Sequence, residues 1–459
     1  MTILNPLDSR YRQRVSPITK CLGSDAYKKF LVLVEIEWLL YFIKHLSAVK
    51  PSYKDAAKLL ANINSVELAE QVDLQRIKEL ENQLGHDIKA VQYYVKELIR
   101  AKLAKETEYT QNLICELVHI GCTSEDITNV AYAIGVGRAK KAIICRLKSI
   151  LIVLEGHIQT YAQTPMLAFT HGQPASPTTV GKEFAVYYER IKSELDSLNN
   201  LPIKAKFAGA TGNHNALAVI DDLEPHEITN RFVELVGYLY DVPLKPSSVV
   251  TQVESHDSIA AILHNIIRIN NILTDLACDM WQYIGKSYFK LKVDRVGSST
   301  MPHKINPIEF ENAEGNFGLS NSMLSFMSDK ITISRMQRDL SGSTVKRNLG
   351  TALGYSFIAY ESILSGISKI EANKEQIQSD LFNHAEVIGE AIQTFLRVSP
   401  DVMANINQEF KVDFGPYEIM REMPHQVIEY LNKNKIFNMD ADKYLGMAPA
   451  IAKDSLLSK

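Results

Sequence analysis

"SIAAILHNIIRINNILTDLACDMWQYIG", residues 258–285, decides the fold class. Ile259, Leu263, Ile266, Ile269, Leu273, Leu276, Met280 and Ile284 recur every three or four residues, the spacing that lines side chains along one face of an α-helix. More apolar residues lie beside that stripe. A stripe so wide on a long helix fits burial on more than one side, as at the centre of a multi-helix bundle or an oligomer core. A helix in a large monomer core gives the same pattern.

Outward from it, "RAKKAIICRLKSILIVLEGHIQTY" (138–161) carries Ile143, Leu147, Ile150, Leu154, Ile158 and Tyr161 at the same steps. "TVGKEFAVYYERIKSELDSL" (179–198) does so with Val180, Phe184, Tyr187, Ile191, Leu195 and Leu198. Convincing strand alternation is scarce, so the chain is predicted to be mostly α. Boundaries near 111 and near 366, where "GISKIEANKEQIQSDL" opens a new run of helices, predict domains over 1–111, 112–365 and 366–459. The end, "IAKDSLLSK", is expected to fray.

The composition is that of a folded globular protein: 459 residues, 46% hydrophobic and 22% charged. Fifty basic residues against 53 acidic leave a net charge of −3, which gives no bulk electrostatic case for nucleic acid or an anionic membrane. Any anionic substrate must therefore be held by a local cluster. Five scattered cysteines show no CxxC and no zinc-like spacing, so they read as reduced core thiols of a cytosolic protein. The opening "MTILNPLDSRYRQRV" has no apolar stretch for a signal peptide, and no run is long enough to span a bilayer. A soluble, cytoplasmic protein is expected. No P-loop and no HExxH is present, and "GVGRAK" (135–140) lacks the third glycine and preceding strand of a dinucleotide fingerprint.

Chemistry must come from the polar segments between helices. In "GSSTMPHKINP" (297–307), Asn306, Pro307 and Glu309 predict a helix start with Asn as N-cap and Pro at N1. Gly297 to Ile305 then form a loop feeding a helix N-terminus, a place where unpaired N–H groups and Lys304 suit a carboxylate or phosphate. Gly297 before Ser298 and Ser299 is a natural hinge for closure over a ligand. "AFTHGQPASPTTVGKE" (168–183) is expected to put Thr170 and His171 on a turn before a helix capped by Ser176 and started by Pro177. A loop histidine is a candidate acid or base, although surface decoration is its commoner fate.

In "LVHIGCTSEDITN", Thr123 and Ser124 precede Glu125 and Asp126, an ordinary N-cap signature. In "LGHDIKAVQYYVKE", His86 opens an amphipathic helix, with capping as the plain reading. In "SRMQRDLSGSTVKRNLG", Arg335, Arg338, Lys346 and Arg347 surround a Ser-Gly-Ser-Thr loop, which suits a phosphate and equally a solvated charged turn.

Together these segments resemble the fumarase/aspartase superfamily, and the His after "MP" resembles its adenylosuccinate lyase branch more than the others. "LDSRY", "GHDIKAV", "CTSEDITN", "THGQPASPTTVGKE", "TQVESHD" (251–257), "ENAEGNFGLSN" (311–321) and "RDLSGSTVKRNLG" follow in the order of the bacterial form of that branch. The resemblance runs from residue 7 to beyond 350. It implies an all-α, three-domain fold whose central long-helix bundle forms the core of a homotetramer, with each active site shared between subunits. It implies a carbon–nitrogen lyase of purine synthesis that eliminates fumarate from two succinyl nucleotides, adenylosuccinate (giving AMP) and SAICAR (giving AICAR).

By the same resemblance Ser298 is the general base and His171 the general acid. Lys304 and Asn306, with Ile305 between them, would grip the succinyl carboxylates opposite Thr123 and Ser124. His86, flanked by Gly85 and Asp87, would help to bind or orient the substrate, and Gln252 and Asn312 would line the site. Arg10, Tyr11, Arg338, Ser343, Thr344 and Arg347 would take the nucleotide phosphate and sugar. No metal or organic cofactor is implied. The rival readings are another lyase of the superfamily (an argininosuccinate lyase or a carboxymuconate cycloisomerase) and a non-catalytic structural relative.

Overall fold

The computed structural model describes residues 5–292, 301, 304–437 and 439–457. It is 68% helical, as expected of an all-α protein. The helices used below are α1 (Ser24–Val49), α2 (Asp87–Lys102), α3 (Ser124–Tyr161), α4 (Val180–Asn200), α5 (Asp257–Gly285), α6 (Ile308–Ile331), α7 (Ser341–Lys346) and α8 (Leu349–Lys369). The predicted stripes are the buried ones: every named apolar residue of 138–161 and 179–198 lies in the core, and so does each of the 258–285 stripe except half-buried Ile284.

The chain forms two compact units, each discontinuous in sequence. The first comprises Met1–Arg146, Glu194–Asn271 and Gly315–Glu361. Trp38 of α1 is fully buried at its centre, its ring 4.4 Å from Phe207, 5.0 Å from Phe232 and 5.3 Å from Phe42. The indole N–H donates to the Ile120 carbonyl at 2.8 Å, so the apolar centre also fixes the turn that precedes α3. That turn has His119 and Gly121 in the left-handed region, and a Cβ on Gly121 would collide with Leu217.

Polar groups inside this unit are paired. Asn270 of α5 donates to Asn321 at 2.8 Å and to Ser356 at 2.9 Å, and accepts from the Tyr360 hydroxyl at 2.6 Å. This locks α5 to α6 and α8 in one register, because a slip would leave buried amides unpaired. A short parallel pairing of Ile203–Ala205 with Leu244–Pro246 completes the unit.

The second unit comprises Leu147–Ser193, Ile272–Glu314 and Ser362–Lys459. It holds an antiparallel hairpin, β1 (Pro165–Thr170) and β2 (Gln173–Thr179), that the helix reading of 176–183 did not anticipate. Ser176 and Pro177 lie in β2 and not at a helix start. The Ser176 hydroxyl donates to Glu390 at 2.9 Å, and it is Thr179 that caps α4, accepting from the Lys182 amide at 3.2 Å. His171 and Gly172 are both left-handed, as a two-residue type I′ hairpin turn requires. Phe289–Leu291 pairs antiparallel with Ile370–Ala372 in the same unit.

Candidate active site

The first unit assembles its polar residues around the start of α3. Thr123 is the N-cap, and its own amide donates to the Asp126 carboxylate at 2.8 Å, one half of a capping box. Asp126 also accepts from the Ala208 and Gly209 amides at 2.9 and 3.0 Å and pairs with Lys206 at 2.7 Å. Both side chains are fully buried. The capping signature seen in the sequence is therefore real, and it holds Ser124 at a fixed, half-buried place beside the 206–209 segment.

Arg338 reaches that place from the loop before α7. Its guanidinium donates to Gln252 Oε1 at 2.7 Å and to Ser124 Oγ at 3.4 Å, and stands 3.4 Å from Glu125 Oε2. Gln252 in turn donates to the Ala210 carbonyl at 2.7 Å. Three residues far apart in sequence thus meet around one guanidinium, which Ser124 and Gln252 hold in place as acceptors and which is the group that suits an anion.

Glu125 is buried behind it. Lys346 of α7, itself 3% exposed, donates to Glu125 Oε1 at 3.0 Å and to His256 Nε2 at 3.0 Å. Burial pushes the Glu125 carboxyl up, but Lys346 and Arg338 together hold it below its ordinary value. His256 is held down by burial and by the Lys346 ammonium, against the pull of Glu254. A neutral imidazole accepting at Nε2 matches its environment.

A second corner lies at the start of α2. Gly85 ends the Leu74–Leu84 helix in the left-handed conformation, and His86 caps α2, its Nδ1 accepting from the Lys89 amide at 3.3 Å. Asp87 accepts from Arg347 at 3.4 Å. Asp87 and Arg347 line a cavity of about 330 Å³ with Tyr27, Tyr132 and Cys21. The two tyrosine rings are 4.5 Å apart, and burial pushes the Tyr132 hydroxyl up to about 12. Ser343 and Thr344 sit on α7, between Arg338 and Arg347 in sequence. Arg10 lies over the Tyr11 ring at 5.8 Å.

The remaining expected residues belong to the second unit. His171 stands exposed at the hairpin tip. Lys304 and Ile305 are exposed, Asn306 is half-buried, and Asn312 on α6 accepts from the Ser362 hydroxyl at 2.8 Å. The helix after them begins at Ile308, its first turn closed by the Pro307 carbonyl, so the start lies a residue beyond the expected Asn306 cap. Gly297, Ser298 and Ser299 lie outside the described residues.

A family model described as lyase matches residues 9–318, and one described as the adenylosuccinate lyase C-terminal region matches residues 334–439. The adenylosuccinate lyase of Haemophilus influenzae is 39% identical over 403 residues, spanning 86% of this chain and 85% of its own. That of Buchnera aphidicola subsp. Acyrthosiphon pisum is 37% identical over 465 residues, spanning 99% and 98%. The chain belongs to the adenylosuccinate lyase family. It is a carbon–nitrogen lyase that eliminates fumarate, and the sister-enzyme readings are not favoured.

Solved structures share the fold of this lyase. A fumarate lyase from Mesorhizobium sp. BNC1 superposes with a TM-score of 0.74 at 16% identity, over 97% of this chain and 98% of its own. The 3-carboxy-cis,cis-muconate lactonizing enzyme from Pseudomonas putida gives 0.73 at 17%, over 99% and 98%.

The sequence groups Lys346 with Arg335, Arg338 and Arg347 as four cations of a phosphate loop or a solvated charged turn, and the structure differs for Lys346. Lys346 is turned inward onto Glu125 and His256, so it offers no charge at the surface. In the sequence, Glu125, Glu254 and His256 stand only as parts of motifs. A run of titratable residues inside otherwise apolar helix starts was the one available sign of them. Among the described residues, no group of three His, Cys, Asp or Glu side chains is placed to hold a metal ion, and no helix is long and apolar enough to cross a membrane.

Proposed function

We propose that this lyase cleaves adenylosuccinate to AMP and fumarate, and SAICAR to AICAR and fumarate, in purine nucleotide synthesis. The observation that carries the reading is the Arg338 guanidinium, held by Gln252 and Ser124 next to a helix N-terminus, in a chain of this family. A phosphorylated, succinylated substrate offers phosphate and carboxylates to such donors.

The reaction needs a base to remove a proton from the succinyl carbon beside a carboxylate. The electron pair left behind forms the fumarate double bond as the C–N bond breaks, and an acid protonates the departing nitrogen. Ser298 is the base and His171 the acid in this reading. Ser298 follows Gly297 and precedes Lys304, whose charge would favour an alkoxide. Lys304, Ile305 and Asn306 hold the carboxylates with Thr123 and Ser124. His86 with Gly85 and Asp87, together with Gln252 and Asn312, orients the substrate. Arg10, Tyr11, Arg338, Ser343, Thr344 and Arg347 take phosphate and sugar. The active enzyme is a cytoplasmic homotetramer with domains 1–111, 112–365 and 366–459, its sites shared between subunits. That sharing accounts for site residues drawn from so many stretches of one chain.

The test is fumarate release by purified wild type and Ser298→Ala, given adenylosuccinate and, separately, argininosuccinate. Release from adenylosuccinate alone, abolished in the variant while substrate still binds, is the expected result. Turnover of argininosuccinate instead would move the enzyme to a sister activity.

A further inference from the structure

Glu125 faces two cations and holds them unequally. Lys346 takes Oε1 at 3.0 Å, Thr128 Oγ1 donates to Oε2 at 3.1 Å, and Arg338 approaches Oε2 only to 3.4 Å. The shortest bond of Arg338 is the 2.7 Å one to neutral Gln252. Lys346 is fixed from a second side by His256 Nε2 at 3.0 Å. His256 is anchored through its own backbone amide, which donates to Glu254 at 2.7 Å, and Glu254 accepts from Ser247 Oγ at 3.1 Å. The strut therefore runs from Ser247 through Glu254, His256 and Lys346 to Glu125, and it ends at Arg338.

A buried carboxylate with one neutralising ammonium pulls less on a second cation than a bare one does. Without the ammonium, the same carboxylate would draw the guanidinium into a bidentate pair, the geometry Arg and carboxylate favour. Arg338 would then turn its donors away from Gln252 and from any ligand.

We propose that Lys346 is a positioning residue, which neutralises Glu125 so that Arg338 stays presented to the substrate phosphate instead of collapsing onto the buried carboxylate. This rests on the reading that Arg338 binds the nucleotide phosphate of adenylosuccinate.

The experiment is steady-state kinetics of the full-length enzyme with adenylosuccinate. Lys346→Met is expected to raise KM by about tenfold or more with kcat nearly unchanged, since the phosphate is remote from the bond that breaks. Lys346→Gln keeps a donor without the charge and is the variant read if Lys346→Met does not fold; the same rise in KM is expected. The double variant Glu125→Gln/Lys346→Met removes the capturing charge as well, and its KM is expected to return to within about threefold of wild type. A purely structural lysine would make the double variant no better than the single one. That result, or a KM unmoved in a folded single variant of an active enzyme, overturns the proposal alone. A wild type that turns over no adenylosuccinate overturns the substrate reading and the proposal with it.

Discussion

Asp126 and Lys206 form a 2.7 Å ion pair in which neither side chain is exposed at all. The carboxylate also accepts from the Thr123, Ala208 and Gly209 amides, so one side chain joins the start of α3 to the strand end at 206–209. Replacing Asp126 with Ala leaves an unpaired buried ammonium and three freed amides. The expected cost is about 3–5 kcal/mol of stability, read as the shift in a urea unfolding midpoint. A variant as stable as wild type would show that water replaces the carboxylate there.

His171 has two separable duties. Its left-handed backbone builds the hairpin turn with Gly172, and its imidazole is the proposed acid. Asn tolerates the left-handed conformation better than most residues. His171→Asn is therefore expected to keep the thermal midpoint of wild type while kcat falls by about 10²–10⁴-fold. Unchanged turnover in a folded variant would remove His171 from the chemistry.

Arg338 ends the buried strut and carries the donors that suit an anion. Arg338→Met is expected to weaken binding of substrate or of AMP by about 10–100-fold, the worth of one or two bonds to a charged group. Titration calorimetry with AMP measures it directly. Equal affinity would place the phosphate elsewhere.

Stability should fall on acidification, and the sign follows from which form is native. His256 is native as the neutral imidazole, held below its ordinary value by burial and Lys346. The unfolded chain therefore takes up a proton first, and stability present above about pH 6.5 is lost as pH drops through the window beneath it. Glu125 is held below its ordinary value by Lys346 and Arg338 against the opposing effect of burial. Its share is present above about pH 4.3 and is lost only at lower pH. His157 and His214 are lowered by burial too, so part of the slope persists in any single variant. His256→Gln is expected to flatten unfolding free energy against pH between about 7 and 5. An unaltered slope would mean that His256 takes up its proton alike in the folded and unfolded chains.

Much of this enzyme was legible in its sequence, for a specific reason. Helical periodicity and capping act between residues three or four apart. The buried stripes of α3, α4 and α5, the Thr123 cap with Asp126 and the His86 cap could therefore be read directly. The order of short polar motifs pointed to the family, and the relatives bear that out.

Local periodicity and capping thus set which long segments are helices and which polar residues stand at several of their starts. Tertiary structure alone decided the rest. Ser176 and Pro177 satisfied local capping rules, yet they lie within β2 at the irregularity between the Ala168–Ala175 and Met166–Thr178 pairs, because Pro165–Thr170 supplies a partner strand that propensity cannot see. Lys346 looked like one surface cation among four, yet it meets Glu125 across 221 residues of chain and His256 across 90. The free energy of a charge depends on what surrounds it when folded, and those surroundings come from distant parts of the chain.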